Sequence, residues 1–330
     1  MDNQAVASVI NARGEQLAER VVERHYALEP EVWERYGEKG RQRSLQDARY
    51  HLSYLAEALA ADDPILFVNY VNWCKVLFHS IRLPADALEK TLRLTEEVLA
   101  EELPAAASTA AAVFIGRALE ALPDAPCDLP SCLEPNAPCA SLARSYLDAL
   151  LRGERQQAVE LITAAAERGV PVRDLYLHVF QPVQHEVGRL WQMNQLSVAQ
   201  EHFCTAVTQL VMSLLYPRVF ASEKNGLRLV ATCVSGELHE IGARMVADLF
   251  EMEGWDTYYL GANTPADSVV RAVADRRAHV LAISATMTFH LGRVADLVAA
   301  VRSATTGVKI LVGGYPFNVS ENLWRQVGAD

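Results

Sequence analysis

Two periodicities divide the chain. Through residues 1–120 apolar side chains recur every three or four positions, most clearly over 45–59 and 88–99, the spacing of helices with one buried face. Pro64 and Pro84 follow breaks in that pattern and suit a first helical turn, where a missing N–H costs nothing. The same period returns over 140–220, interrupted near Gly153, at Gly169 to Pro171 and around 193–197. That predicts four helices joined by short turns, a four-helix bundle. Between the two helical stretches, residues 122–139 hold five prolines and no period, so they read as a linker.

After Asn225 and Gly226 the pattern changes. Short β-branched runs predict strands over 227–234, 255–260, 280–284 and 308–312, with helices over 241–253, 266–277, 291–303 and from Glu321. Strands alternating with helices of this length predict a flavodoxin-like, doubly wound parallel sheet. The sequence stops at Asp330, before a fifth strand is complete. The expected fold class is multidomain α and α/β. It comprises an all-helical accessory domain (1–121), a linker (122–139), a bundle (140–222) and a Rossmann-like domain (223–330).

Charge narrows the function. The net charge is −11, and the first 120 residues carry 19 acidic against 13 basic side chains, so a phosphate-binding, nucleic-acid surface is not expected. No run approaches 18 uninterrupted apolar residues and the first residues lack a basic start followed by an apolar run, so neither a membrane span nor a signal peptide is expected. A cytoplasmic protein with reduced thiols follows from those readings. Three of the six cysteines, Cys127, Cys132 and Cys139, crowd the linker, but their spacing matches no common zinc pattern.

The chemistry gathers where doubly wound sheets bind ligands, beyond the carboxyl ends of the strands. Glu237, His239 and Gly242 follow the first predicted strand, Ser284, Thr286 and Thr288 the third, and Gly313 and Gly314 the fourth. A neutral imidazole suits a transition metal, and a carboxylate two residues before it can hold the other ring nitrogen. A response-regulator-like sheet would instead need an aspartate at a strand end.

This E-x-H-x-x-G, S, GG pattern resembles the cobalamin-binding domain of methionine synthase, mutases and cobalamin photoreceptors, over residues 227–330. The resemblance implies that His239 ligates cobalt, with Glu237 behind it. It also implies that the nucleotide tail leaves the cobalt and threads a cleft, where Gly242, Gly313 and Gly314 leave backbone room and Ser284, Thr286 and Thr288 offer hydroxyls. The position of the family's relay serine falls on His290 here, which puts the relay beyond Glu237 in question.

In the bundle, Trp191 precedes Glu201 and His202 by nine intervening residues. This W-x9-EH spacing resembles the cobalamin-dependent light-sensing repressors of carotenoid genes, which implies that Trp191 shields an adenosyl group and Glu201 contacts it. The bland alternative makes Trp191 a core aromatic and Glu201 and His202 first-turn polar residues. The repressors place a histidine directly after this tryptophan, but here that residue is Gln192, leaving His185 or His202 as conjectural substitutes. The acidic helices at the N-terminus, with Trp33, Tyr36, His51, Tyr54, Phe67, Tyr70, Trp73, Phe78 and His79, are either plain core or a second chromophore pocket. In the second case the layout resembles photocobilins, which pair adenosylcobalamin with biliverdin. Arg41, Arg43, Arg49, Lys75 and Arg82 are the basic residues at hand, and His51 or His79 the bonding groups.

The resemblance implies a light sensor rather than an enzyme, binding adenosylcobalamin, with light changing the oligomeric state or signalling to an output domain or partner protein. The alternative expectation is a corrinoid methyl carrier serving a methyltransferase system. A mutase is excluded, because the upstream residues are too few and too helical for a substrate barrel.

Overall fold

The computed structural model describes residues 2–220 and 222–330. Residues 2–121 form five helices: α1 (Asn3–Leu28), α2 (Pro30–Ala60), α3 (Pro64–Ser80), α4 (Ala87–Glu102) and α5 (Ala105–Ala121). The Asp2 carboxylate caps α1 by accepting from the Ala5 amide at 2.8 Å, and Asp63 caps α3 through the Ile65 amide at 3.0 Å. Pro64 stands in the first turn of α3, as its place after a break predicts. Gly37 interrupts α2 with φ 56°, a backbone open to glycine, and kinks it. The helix α5 and the turn after it, Ala105–Asp124, are long and apolar enough to cross a membrane by length and composition, although no uninterrupted apolar run marks them in the sequence. Yet Ala107, Ala111, Phe114, Ile115 and Ala118 of α5 are buried in the helical core.

The bundle comprises α6 (Ala140–Leu151), α7 (Arg155–Glu167), a composite of α8 (Val172–Leu175) and α9 (Gln181–Gln192), and α10 (Val198–Leu214). A π-helical turn, Tyr176–Phe180, joins α8 to α9 directly ahead of Pro182. The widened turn accommodates a residue with no amide to give and a ring that would strike the preceding turn. A reciprocal cap between Ser197 and Gln200 starts α10. A short helix α11 (Tyr216–Val219) follows.

The sheet consists of β1 (Arg228–Cys233), β2 (Asp256–Tyr259), β3 (Val280–Ser284) and β4 (Lys309–Gly313), in the order β2-β1-β3-β4, with β1 parallel to both neighbours. Between them run α12 (Ile241–Met252), α13 (Ala266–Arg276) and α14 (Leu291–Ala304). The predicted helix from Glu321 is the short α16 (Leu323–Gln326), and a further short helix, α15 (Tyr315–Val319), precedes it. All six residues of β1 except Arg228 are buried, as expected of a strand covered on both faces.

By contact the described residues form two units that do not follow chain order. The first takes residues up to Cys127 together with Ala285–Asp296 and Gly313–Ala329, and the second takes Asp128–Ser284, Leu297–Val312 and Asp330. In the first, Leu291 and Leu323 are buried in the core built by α1–α5, and Met287, Phe289, Phe317 and Val319 pack against it. In the second, Met245, Ile241 and Met252 of α12 join the core of the bundle.

Candidate functional site

The chain turns sharply after β1, and Glu237 is wholly buried there while the His239 side chain is 60% exposed. One Glu237 oxygen, Oε1, accepts both from the His239 backbone amide at 2.9 Å and from its ring Nδ1 at 2.6 Å. With the Nδ1 proton held by a carboxylate, Nε2 is the nitrogen left with a lone pair, facing outward. The Glu237 hydrogen bond raises the His239 pKa above the usual histidine value, partly opposed by burial. The charges of Glu237 and then Glu201 add to the rise.

The loop itself is fixed by the backbone. The Glu237 amide donates to the Val234 carbonyl at 3.0 Å, and the Asn263 amide to the Glu237 carbonyl at 2.9 Å. The Gly236 amide donates to the Asn263 side chain at 2.7 Å, so the loops after β1 and β2 brace one another. Ser284, at the end of β3, is half-buried, and its carbonyl accepts from the Val234 amide at 3.2 Å.

The glycines divide. A Cβ on Gly242, in the first turn of α12, or on Gly313, at the end of β4, would meet nothing within 4 Å, so both leave open space. Gly314 has φ 114°, and a Cβ there would fall 2.0 Å from the Ala285 carbonyl oxygen. Its lack of a side chain serves that close backbone approach, which corrects its expected role of making room for a ligand.

Thr286 is half-buried and Thr288 buried, in the stretch between β3 and α14 that belongs to the first unit. There α2 grips this stretch. Tyr54 Oη lies 4.0 Å from Met287 Sδ, the Phe289 ring stacks 5.8 Å from Tyr50 and meets Tyr54 edge-on at 5.4 Å, and the Gly292 amide donates to Glu57 at 3.0 Å. His290, where the relay serine was expected, is 3% exposed and meets the Phe289 ring edge-on at 4.5 Å.

On the bundle, Trp191 is half-buried near the end of α9 and Gln192 is 6% exposed. Glu201, in the first turn of α10, accepts from Thr205 Oγ1 at 2.9 Å and contacts the exposed His202 ring through Nδ1. His185 is exposed on α9.

The N-terminal aromatics also divide. Tyr54, Phe67 and Tyr70 are core, with His51 buried among them, its Nδ1 2.9 Å from the Tyr70 hydroxyl and its Nε2 without a partner. Trp33 and Tyr36 are exposed. Trp33 lines an open depression of about 450 Å³ with Glu23, Tyr26, Pro30, Glu34 and Arg41, where two carboxylates face one guanidinium.

The donor set fits a corrinoid. Among the described residues no group of three or more His, Cys, Asp or Glu could hold a bare metal ion. A metal already bound by a macrocycle needs only one protein ligand, which His239 Nε2 offers beside the space at Gly242.

Comparison with known proteins agrees with that geometry. Residues 227–330 match the family model described as B12 binding domain, and residues 142–216 match a second model with the same description. These two segments are B12-binding domains, and the chain is a cobalamin-binding protein whose cofactor is a cobalt corrinoid. Among its relatives is dimethylamine corrinoid protein 1 of Methanosarcina acetivorans, 28% identical over 44% of this chain and 70% of the relative. Monomethylamine corrinoid protein 2 of the same organism is 26% identical over 52% and 82%. The solved Methanosarcina barkeri monomethylamine corrinoid protein shares the fold, at a TM-score of 0.51 and 24% identity over 58% of this chain and 92% of that one. Neither family model reaches the helices before residue 142.

Glu237 and His239, paired by the structure, are close neighbours in the sequence. The E-x-H-x-x-G pattern leaves out Glu240, whose contacts come from α10, Tyr259 and Ala262, none signalled by spacing.

Proposed function

We propose that this chain is a corrinoid carrier, holding cobalamin with its nucleotide tail off the cobalt and His239 Nε2 in the tail's place, and presenting the upper face to a methyltransferase partner. The observation that carries the reading is the Glu237–His239 pair at 2.6 Å, which leaves one imidazole nitrogen directed out of the loop. The relatives named as methylamine corrinoid proteins support the carrier role. The corrinoid supplies a cobalt–carbon bond that is made and broken at its upper face. The chain's own residues do the rest. Glu237 holds the Nδ1 proton, fixing the tautomer. Gly242 keeps space clear beside the loop, and Ser284 provides a hydroxyl at the end of β3.

A second reading, a light sensor using adenosylcobalamin, is favoured by one observation: Glu201 of the W-x9-EH pattern stands in the first turn of α10, the helix whose Gln209 bonds Glu240 next to His239. Competition between methylcobalamin and adenosylcobalamin separates the two. A carrier takes both forms comparably and keeps its elution volume after green light. A sensor prefers the adenosyl form and changes its elution volume after illumination. Biliverdin belongs only to this sensor reading, which calls for a red-shifted band co-eluting with the protein. Free biliverdin eluting separately removes it. The acidic rim of the depression at Trp33 is a poor match for the two propionates of a bilin.

A further inference from the structure

Glu240 follows His239 directly and opens α12, and three separate elements converge on its carboxylate. Oε1 accepts from Gln209 Nε2 of α10 at 2.7 Å. Oε2 accepts from the Tyr259 hydroxyl at the end of β2 at 3.0 Å and from the Ala262 amide at 3.1 Å. The same Tyr259 hydroxyl lies 3.2 Å from the Glu240 backbone carbonyl. Hydrogen bonds to an ionised acceptor are roughly twice as strong as neutral ones. Side chain and main chain at position 240 are therefore both fastened, one residue from the candidate cobalt ligand.

The bundle side of this junction is equally ordered. Glu201, Thr205, Gln209 and Ser213 recur every fourth residue along α10, so they lie on one stripe. Thr205 donates to Glu201 at 2.9 Å, while Arg244 of α12 donates to the Gln209 carbonyl at 3.2 Å and to Ser213 Oγ at 2.8 Å. One end of the stripe holds Glu201, and its middle holds Gln209, which grips Glu240. These contacts all fall within the second unit.

We propose that Glu240 is the positioning residue of the lower cobalt ligand, and that the Gln209–Glu240 contact ties the setting of His239 to the bundle helix that carries Glu201 and His202. The proposal rests on His239 being the ligand. A loop carrying a metal ligand has to hold its ring within about 0.5 Å of the bonding position, and such precision comes from the groups behind the ligand. Glu237 sets the ring's tautomer and tilt. Glu240 sets where the loop stands relative to β2 and α10. A shift of α10, by whatever occupies the upper face, is then felt at His239 through one hydrogen bond.

The test is the electron paramagnetic resonance spectrum of the cobalt(II) cobalamin complex of protein labelled with nitrogen-15 histidine, in which an axial imidazole splits the cobalt lines into doublets where the tail's own base would give triplets. The wild-type protein is expected to show that splitting and His239→Ala to lose it. Glu240→Ala and Gln209→Ala are each expected to remain folded by circular dichroism, to bind cobalamin on the order of 10-fold more weakly, and to show a reduced imidazole-split fraction. Gln209→Glu is expected to do the same by setting two carboxylates against each other. Pairing it with Glu240→Gln restores a donor facing an acceptor and should recover the splitting, a rescue that loss of fold would not give. If Glu240→Ala fails to fold, the Gln209 single and paired variants carry the test. Full splitting in folded Glu240→Ala or Gln209→Glu, or no recovery in the paired variant, overturns the positioning role. Absence of splitting in the wild type overturns the ligand assignment itself, and the proposal with it.

Discussion

The Gly292 amide donates at 3.0 Å to the carboxylate of Glu57, so a side chain of α2 caps the start of a helix 235 positions further along the chain. Burial pushes the Glu57 carboxyl up to about 7, against the opposing Gly292 and Asn11 hydrogen bonds, with Asp296 raising it further and Arg293 lowering it. A carboxyl harder to ionise in the folded than in the unfolded state makes folding less favourable as pH rises from about 4.5 to about 7. Glu57→Gln keeps an acceptor for Gly292 and removes that titration. Its denaturation midpoint is expected to vary less than the wild type's between pH 5 and 7, which urea unfolding at the two pH values measures.

His51 acts in the opposite direction. Full burial lowers its pKa from 6.5 to about 4, and its Nε2 has no partner. Between those values the unfolded state takes up a proton that the folded state refuses, so stability present above pH 6.5 is lost as pH falls toward 4. The loss is on the order of 3 kcal/mol at most. His51→Gln, which retains an acceptor for Tyr70, is expected to be less stable at pH 7 and to lose less on acidification. An acid-unfolding curve steeper than the wild type's would contradict this.

His239→Ala is expected to lose the imidazole-ligated cobalamin spectrum, since no adjacent side chain offers a replacement nitrogen. Glu237→Ala should keep the ring but free its tilt and tautomer, weakening cobalamin binding about 10–100-fold. Titration followed by absorbance checks both. An unchanged spectrum in His239→Ala removes the ligand assignment.

Trp191→Ala is expected to retain cobalamin, because the residue belongs to α9 of the bundle and not to the loop that carries His239. What should change is discrimination at the upper face. Any preference for adenosyl over methyl cobalamin in the wild type should shrink in the variant, as competition binding measures. Identical competition curves would leave Trp191 a packing residue.

Much of the fold was legible because its determinants are local. The apolar run 229–234 announces a strand covered on both faces and the β-branched 280–284 a second strand, and β3 falls on the predicted bounds. The glutamate, histidine and glycine after β1 were legible for the same reason, being neighbours in the chain. What was missed depends on distance or on a turn's detail. The sequence around Gly37 reads as helix because a single positive φ leaves the apolar period on either side intact. The helix at Tyr315 is only five residues long, too short for a period to emerge. Gly314 looks like any ligand-clearing glycine until the Ala285 carbonyl is found beneath it. The grip of Tyr54 and Glu57 on residues 287–292 links positions that no spacing rule connects.

The interleaving of the two units bears on how the protein is made. The helices α1–α5 leave the ribosome well before Leu291 and Leu323, which are buried in their core. At ~5–20 residues per second the wait is on the order of 10 s. During that time the nascent helical unit carries an apolar face without its partners, open to chaperones or to a neighbouring nascent chain. The unit therefore closes only after the loop that carries His239 has emerged.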